Sequence, residues 1–182
     1  MSEIKQVRLS GFGGQGIVLA GILLGEAGVI DGKYISGSNS YGAQARGSNC
    51  QSEVIFSDRP IDFPHLTTAD ILVPMSQGAY DMFCQDVNPE SGLILFDQYH
   101  VVSKEGLNLM QIGIPATEYA LKEMDNKQVA NIILLGALLE ITKIVSLKAA
   151  RKAIHVHVSE RFRTLNLKAL RIGIELGREL HG

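Results

Sequence analysis

Five residues near the N-terminus form a segment whose chemistry suits an anion. Gly11, Gly13, Gly14, Gln15 and Gly16 match the pattern G-x-G-x-x-G, between a strand-like and a helix-like apolar segment. Glycines let the backbone turn tightly, and the first N–H groups of the following helix carry the positive end of its dipole. We therefore expect a phosphate or carboxylate here. The competing interpretation is that the glycines only allow the helix to pack closely on the sheet.

Two classes of nucleotide-binding protein that use glycine-rich loops fit this sequence poorly. A dinucleotide fold also needs an acidic residue at the end of its second strand, but residues 36–40 are Ser-Gly-Ser-Asn-Ser, and Asp31 precedes that strand. No Gly-Lys-Ser or Gly-Lys-Thr follows the glycines, which excludes a P-loop for nucleoside triphosphates. These departures disfavour NAD, and a stand-alone Rossmann-type oxidoreductase is kept as an alternative.

A polar segment, residues 36–49, supplies the other candidate binding residues. It is rich in serine, glycine and asparagine and contains Tyr41 and one charged residue, Arg46. This composition predicts a loop, and a loop of this length in a compact domain is usually functional. The Arg46 guanidinium suits a bidentate contact with a phosphate or carboxylate, or an ion pair across a subunit interface. Tyr41 suits stacking or hydrogen bonding, and the alternative for both residues is a purely structural or surface role.

The sequence contains no complete ligand set for a metal. Cys50 and Cys84 do not form a Cys-x-x-Cys motif, so we expect no disulfide framework, zinc site or iron–sulfur cluster. His155 and His157 are two residues apart on a predicted helix and face different ways. We assign no catalytic residue and no metal ligand to this chain, and any redox cofactor must come from another chain.

Composition predicts one globular domain, residues 1–182, that associates with other chains. The formal net charge is −2 and 46% of the residues are hydrophobic, so we expect neither nucleic acid nor an anionic membrane surface as partner. The N-terminus lacks a signal-peptide pattern and the apolar run 129–141 is too short to cross a bilayer, which predicts a cytoplasmic protein. A mean hydropathy of +0.12 indicates apolar surface that is buried against another chain.

Strands and helices alternate along most of the chain. The predicted strands are residues 6–10, 33–36, 50–56, 70–74, 92–96 and 109–112. The predicted helices are residues 17–30, 76–85, one from about 115, 129–145, 146–156 with Ser146 as N-cap, and 166–180 with Asn166 as N-cap. This order predicts an α/β layered fold, with a mainly parallel sheet, flanking helices and a helical C-terminal third. Ligand contacts should then lie at the C-terminal ends of the strands.

Several segments together resemble the gamma subunit, or gamma-type domain, of the 2-oxoacid:ferredoxin oxidoreductases. The resemblance covers most of the chain and rests on its glycine segment, its polar segment and four later stretches. These are Gly11-Phe12-Gly13-Gly14-Gln15-Gly16-Ile17; Ser40-Tyr41-Gly42 with Arg46-Gly47; Ser52-Glu53-Val54 leading to Ser57-Asp58; Ala69-Asp70-Ile71-Leu72-Val73; Ser76-Gln77 with Tyr80; and Asn131 with Leu135-Gly136-Ala137. One departure is Ser48, where the family tends to carry a second glycine after Arg-Gly.

The resemblance implies an enzyme subunit that is not catalytic alone. The family converts a 2-oxoacid (pyruvate, 2-oxoisovalerate, 2-oxoglutarate or indolepyruvate), coenzyme A and oxidised ferredoxin to acyl-coenzyme A, carbon dioxide and reduced ferredoxin. Thiamine diphosphate with Mg²⁺ and [4Fe-4S] clusters would lie on partner subunits. The resemblance favours 2-oxoglutarate. Because an anion-binding glycine segment is paired with Arg46 beside the strand ends, our hypothesis is that this subunit closes over a partner's active site and helps to hold coenzyme A, with Tyr41 as a further binding candidate. A non-catalytic scaffold or interaction module is the other alternative. The expected partners are the thiamine-binding and iron–sulfur subunits and ferredoxin, and the chain alone is expected to be able to self-associate.

Overall fold

The structure is a computed structural model that describes residues 4–42 and 49–181. Its strands, numbered along the chain, are β1 (Lys5–Phe12), β2 (Tyr34–Tyr41), β3 (Asn49–Ser57), β4 (Ile71–Pro74), β5 (Leu93–Asp97) and β6 (Met110–Ile114). Its α-helices are α1 (Ile17–Ile30), α2 (Gln77–Phe83), α3 (Ala116–Met124), α4 (Ala130–Thr142), α5 (Leu147–His157) and α6 (Glu160–His181). Because strands and helices alternate and the last third is helical, the predicted α/β class is confirmed.

The six strands form one sheet in the order β2-β3-β1-β4-β5-β6. The strands β1, β4, β5 and β6 run parallel, whereas β3 is antiparallel to both β1 and β2. The sheet is therefore parallel in one half and antiparallel in the other. The difference arises because β2 and β3 are consecutive strands that pair with each other, which antiparallel strands can do without a crossover helix.

The polar segment 36–49 contains a strand, so the prediction of one long loop is wrong in part. Residues 36–41 belong to β2, and each pairs with a residue of β3, from Ser36 opposite Ile55 to Tyr41 opposite Cys50. Because β2 lies at the edge of the sheet and none of its residues is fully buried, it can consist of small polar residues, which do not show the apolar pattern of a strand. Tertiary pairing with β3 outweighs the weak local propensity.

The last helix begins six residues earlier than the sequence predicts. Asn166 lies inside α6, which starts at Glu160, and its Nδ2 donates to the carbonyl of Phe162, one turn back. Asparagine side chains can satisfy backbone groups within a helix as well as at its start, so the predicted N-cap at Asn166 is wrong. The Ser146 prediction is confirmed, since its hydroxyl accepts from the N–H of Ala149 at 3.1 Å.

The helix α1 packs tightly against the antiparallel half of the sheet through its glycines. A Cβ atom on Gly21 would collide with Ser52, and one on Gly28 would lie 2.8 Å from the Phe56 ring. The predicted glycine stripe therefore brings the helix backbone close to β3. The burial that this close approach allows offsets the cost of about 1 kcal/mol that each glycine imposes on a helix.

The helix α4 is buried between the sheet and α6, as its apolar sequence predicts. The two helices approach so closely that a Cβ atom on Gly136 or Gly173 would collide with backbone of the other helix. Across the residues that the structure describes, none of the helices is long and apolar enough to cross a membrane.

Candidate functional site

Neighbouring strands β1 and β4 lead to helices on opposite faces of the sheet. Ile71 and Val73 of β4 belong to the large core cluster under α1 and α4, whereas Leu72 packs with Tyr80 of α2 in a smaller cluster. Since α1 follows β1 and α2 follows β4, the chain leaves the two strands in opposite directions. In α/β sheets, a crevice forms at the carboxyl ends of two such strands, and ligands bind there.

The side chain of Gln15 closes the glycine segment at this crevice. Its Oε1 accepts from the N–H of Phe12 at 2.7 Å, and its Nε2 donates to the carbonyl of Met75 at 2.8 Å. Met75 directly follows β4, so one side chain joins the ends of both strands. Gln15 therefore positions the segment and has both polar atoms engaged within the chain.

Three of the glycines are required by the local backbone or by close neighbours. Gly14 and Gly16 have φ angles of 98° and 75°, which L-residues with a side chain rarely adopt. A Cβ atom on Gly11 would lie 2.5 Å from Oε1 of Gln15, and one on Gly16 would collide with Asn131. The Nδ2 of Asn131 donates to the carbonyl of Gly16 at 2.9 Å and thereby connects the segment to α4.

Among residues 4–42 and 49–181, no side chain caps the start of α1. Its N-cap is Gly16, which offers no side-chain oxygen, and its first turn contains no acidic residue. Gly14 has open space where its Cβ atom would be. The helix therefore presents uncapped N–H groups and the positive end of its dipole at the carboxyl end of β1.

A cavity of about 260 Å³ lies beside this segment, and we call it the glycine-loop pocket. It is lined by Gly11, Ser40, Tyr41, Gly42, Asn49, Cys50, Gln51, Ala79, Met82 and Phe83. Gly11, Cys50 and Tyr41 lie in one row across the sheet, because Gly11 pairs with Cys50 and Cys50 pairs with Tyr41. The register of β1, β2 and β3 thus brings Gly11 beside residues that are 30 or more positions away in the chain.

Exposed aromatic and apolar side chains lie at or beside the glycine-loop pocket. Phe12, Tyr41 and Met82 are all exposed, with Tyr41 exposed to 64%. The Phe12 ring lies against Gly78 of α2, and Asn49 contacts the Met82 sulfur at 3.9 Å. An aromatic ring, an exposed tyrosine and a flexible thioether can pack against the flat or aliphatic parts of a ligand.

A buried ion pair supports the floor of the site. The Arg8 Nε donates to Glu53 at 2.9 Å, the guanidinium stacks on Phe83 at 4.6 Å, and Ser38 donates to the other oxygen of Glu53. Both charged side chains are largely buried. The network fixes Phe83, which lines the pocket, relative to β1 and β3.

Cys50 is the nucleophilic group in the pocket lining. Its side chain is mostly buried, and this desolvation raises the pKa of its thiol above the ordinary value of 9.0. The thiol is therefore protonated at neutral pH, which makes it a packing residue and not an activated nucleophile.

Other cavities lie away from the predicted residues. One of about 370 Å³ is at the amino ends of β1, β4 and β5, where Lys33 pairs with Asp58 and Lys143 pairs with Glu140. Because ligands of α/β sheets bind at the carboxyl ends of the strands, we take the glycine-loop pocket as the candidate site.

The structure brings most of the predicted site residues to one place. Gly11 and Tyr41 line the glycine-loop pocket, and Gly13, Gly14, Gln15 and Gly16 form the adjoining segment. Arg46 lies outside the described residues, although Gly42 and Asn49, on either side of that gap, both line the pocket.

Sequence reasoning missed the pocket residues from β3 and α2. Cys50, Gln51, Met82 and Phe83 carry no motif, and only the sheet register and the packing of α2 on β1 and β4 bring them here. The sequence did single out Asn131 as an amide near the start of a mostly apolar helix. It could not show that this amide bonds to Gly16, which is 115 positions away. Within residues 4–42 and 49–181, no three histidine, cysteine or acidic side chains form a group that could hold a metal ion.

Comparisons with known proteins give matches over almost the whole chain. The family described as pyruvate ferredoxin/flavodoxin oxidoreductase matches residues 6–176. The 2-oxoglutarate synthase subunit KorC of Methanocaldococcus jannaschii is 44% identical over 180 residues, which cover 97% of this chain and 95% of that protein. The ketoisovalerate oxidoreductase subunit VorA of Methanothermobacter marburgensis is 33% identical over 183 residues, which cover 97% of this chain and 38% of that protein.

A crystal structure has the same fold over its whole length. The gamma subunit of a keto/oxoacid ferredoxin oxidoreductase from Geobacter sulfurreducens superposes with a TM-score of 0.88 at 36% identity. The match covers 99% of each chain. The similarity therefore includes the helical C-terminal third as well as the sheet.

Proposed function

This chain belongs to the pyruvate ferredoxin/flavodoxin oxidoreductase family, and we propose that it is the gamma subunit of a 2-oxoglutarate:ferredoxin oxidoreductase. The predicted resemblance to this family is confirmed, and the chain is a subunit of an oxidoreductase. The choice of 2-oxoglutarate is supported by the KorC relative, which is more similar to this chain than the VorA relative is. The complex would convert 2-oxoglutarate, coenzyme A and oxidised ferredoxin to succinyl-coenzyme A, carbon dioxide and reduced ferredoxin.

The cofactors of this reaction belong to partner subunits in our proposal. Thiamine diphosphate with Mg²⁺ would supply decarboxylation, and [4Fe-4S] clusters would carry electrons to ferredoxin. A [4Fe-4S] cluster needs four cysteine thiolates, and this sequence has two cysteines, Cys50 and Cys84, which do not fit it. We derive no step through these groups on this chain, and we place the complex in the cytoplasm.

The glycine-loop pocket is the part of this chain that we assign to coenzyme A. Coenzyme A carries phosphates and a long uncharged arm, and the site offers both kinds of complement. The uncapped start of α1 suits a phosphate, while Phe12, Tyr41 and Met82 suit the arm or the adenine ring. The observation that carries the proposal is that Gly11 of the glycine segment and Tyr41, which are 30 positions apart, line one pocket.

The size of the pocket implies that other subunits complete the site. A volume of about 260 Å³ is below the usual range for pockets that enclose a whole small ligand, about 300–1,000 Å³. The pocket would therefore hold one part of coenzyme A, with the remainder against the thiamine-binding subunit. Arg46, between two pocket-lining residues in sequence, is the cation that we propose for a phosphate of this ligand.

The test is Arg46→Ala in the reconstituted complex, with Arg171→Ala as control. Arg171 lies on α6 and is largely exposed, so its loss removes the same charge away from the pocket. We expect the KM for coenzyme A to rise about tenfold in Arg46→Ala, because a hydrogen bond between charged groups contributes about 1.5–3 kcal/mol. The KM for 2-oxoglutarate and carboxyl exchange without coenzyme A should stay unchanged.

The second candidate function is a scaffold without ligand contact. It is supported by Gln15 and Asn131, whose polar side chains are engaged within the chain at the glycine segment. In that case Arg46→Ala lowers the yield of assembled complex, and the complex that remains has an unchanged KM for coenzyme A. If both assembly and that KM are unchanged, neither role of Arg46 stands.

A further inference from the structure

One flank of α1 is apolar and exposed. Val18, Ile22, Gly25 and Val29 follow the spacing of one helical face, and Ile22 and Val29 are exposed to 41% and 56%. A helix that is apolar all round is normally covered on every side. The exposed flank therefore needs a covering that the described part of this chain does not supply.

The exposed flank of α1 borders the open edge of the sheet. A Cβ atom on Gly25 would lie 3.5 Å from Ile35 of β2, so this side of the helix faces β2. Glu26, one position further around the helix, pairs instead with His157 of α5 at 3.2 Å. The apolar flank thus lies between the β2 edge and the α5 side, directly above the outermost strand.

The strand β2 offers a row of backbone groups to an added strand. The N–H of Gly42 donates to the carbonyl of Asn49, and in an antiparallel ladder every second pair is hydrogen-bonded in this way. The register continues without a bulge to Tyr34 opposite Ser57. The N–H and C=O groups of Ile35, Gly37, Asn39 and Tyr41 therefore point away from β3.

The β2 edge lacks the features that usually protect an edge strand. Its eight residues include no proline and no charged side chain. On the described segment before β2, Asp31 accepts from Ser146 and Lys33 pairs with Asp58. A second uncharged strand could approach this edge without electrostatic repulsion.

We propose that two copies of this chain associate through β2 and α1 about a twofold axis perpendicular to the sheet. Antiparallel pairing of β2 with its copy joins the two sheets into one. The same rotation keeps both α1 helices on one face and sets their apolar flanks against each other. One symmetry operation would therefore pair the outward backbone groups of β2 and also cover the exposed Ile22 and Val29.

A second copy fits this surface better than an unrelated chain for a geometric reason. A partner must present an uncharged strand edge and, at the same height above it, an apolar helix, and this chain presents both. The strand is about 26 Å long and α1 about 21 Å, so the shared strip is small beside a standard interface of roughly 800 Å² per partner. We therefore expect a weak, reversible dimer with a dissociation constant roughly in the micromolar range.

The first test is the mass of the full-length chain in solution, by sedimentation over a range of concentrations. The wild type should approach twice the 19.8 kDa chain mass as concentration rises. Val29→Lys should raise the dissociation constant about tenfold or more, because each copy adds a charge to the same strip. Val156→Lys is the matched control, since Val156 is also penultimate in its helix and exposed to 58%, but lies on α5.

A second pair of variants tests the strand. Asn39→Pro removes an outward N–H and leaves the β2–β3 ladder intact, so we expect dimer formation to be lost. Asn39→Ala keeps the N–H and should dimerise like the wild type. If Asn39→Pro does not fold, amide hydrogen exchange of the wild type decides: the N–H groups of Gly37 and Asn39 should become protected as concentration rises.

Three results would overturn the proposal. The first is a wild-type chain that stays monomeric at concentrations well above the expected dissociation constant. The second is a dimer in which the amides of Gly37 and Asn39 exchange as fast as in the monomer. The third is a monomeric chain whose Val29→Lys variant fails to join the multisubunit complex, which would assign the strip to a different subunit. Both proposals involve β2, but the coenzyme A proposal is tested separately, by the KM for coenzyme A of Arg46→Ala.

Discussion

At the scale of single residues, the glycine segment is positioned mainly by its own neighbours. Gln15 and Asn131 bond to backbone groups of the segment, and Gly14 and Gly16 adopt conformations that favour glycine. These are structural requirements, so a glycine pattern of this kind does not by itself prove ligand binding. What favours a ligand is the uncapped start of α1 beside a cavity.

Cys50 provides a residue-scale probe of the pocket. In a Cys84→Ala background, alkylation of Cys50 at pH 8 should be slower than alkylation of a free peptide thiol, because burial raises the thiol pKa and the thiolate is the reactive form. The rate should still be rising at pH values above 9.0, the ordinary thiol pKa.

The measurement is the pH profile of labelling, followed by intact mass. Coenzyme A added to the assembled complex should slow the labelling further, and coenzyme A that leaves the rate unchanged would count against its placement in this pocket. A profile that levels off below pH 8 would contradict the raised pKa.

At the scale of elements, the close crossing of α4 and α6 carries much of the C-terminal third. Gly173 and Gly177, one turn apart on α6, face Ile133 and Ala137 of α4. Backbone contact replaces side-chain packing here, so the two helices cannot be separated without opening the core.

A substitution at this crossing should be strongly destabilising. In Gly173→Ala the added methyl group collides with the backbone carbonyl of Ile133, and we expect a loss of about 2–4 kcal/mol in the free energy of unfolding. The measurement is urea denaturation followed by circular dichroism.

Gly78→Ala is the matched control for this prediction. Gly78 is also a helical glycine, but its Cβ atom would make only an ordinary contact of 3.7 Å with Phe12. The gain in helix propensity, about 1 kcal/mol, should then leave this variant as stable as the wild type or more stable. Equal stabilities for the two variants would rule out the close crossing.

At the scale of the whole molecule, helices cover the two faces of the sheet unequally. The helices α1, α3, α4, α5 and α6 contribute to the large core on one face, while α2 packs on the other over the smaller cluster. The exposed flank of α1 and the apolar rim of the pocket agree with the apolar surface that mean hydropathy predicts. Both surfaces are available to other chains.

We expect the isolated chain to be colourless and inactive and the assembled complex to be active. Purified alone without oxygen, it should lack the broad visible absorbance of iron–sulfur clusters and should not reduce ferredoxin with 2-oxoglutarate. Addition of the partner subunits should restore both properties, measured by absorbance and by ferredoxin reduction. Activity of the chain by itself, with its own bound redox group, would contradict its role as an accessory subunit.

The stand-alone Rossmann-type alternative is not supported by the arrangement of the strands. That fold places its second strand parallel to the first and beside it, so that an acidic residue can reach the ribose. Here the neighbours of β1 are antiparallel β3 and parallel β4, and β2 lies two strands away. The second strand of this chain is therefore not in the position that the Rossmann fold requires.

The amino-acid sequence alone determined the α/β class, α1 at residues 17–30, the buried α4 helix and the family. These depend on periodicity, capping residues and local motifs, which act over a few residues. The single domain at 1–182 and the role of Arg46 stay predictions. Tertiary structure alone decided that residues 36–41 form a strand, that Asn166 lies within a helix, and that Gly11, Tyr41 and Met82 share one pocket. The reason is that strand pairing and side-chain packing bring together residues that are far apart in the chain. A local sequence pattern does not show which distant residues will be in contact.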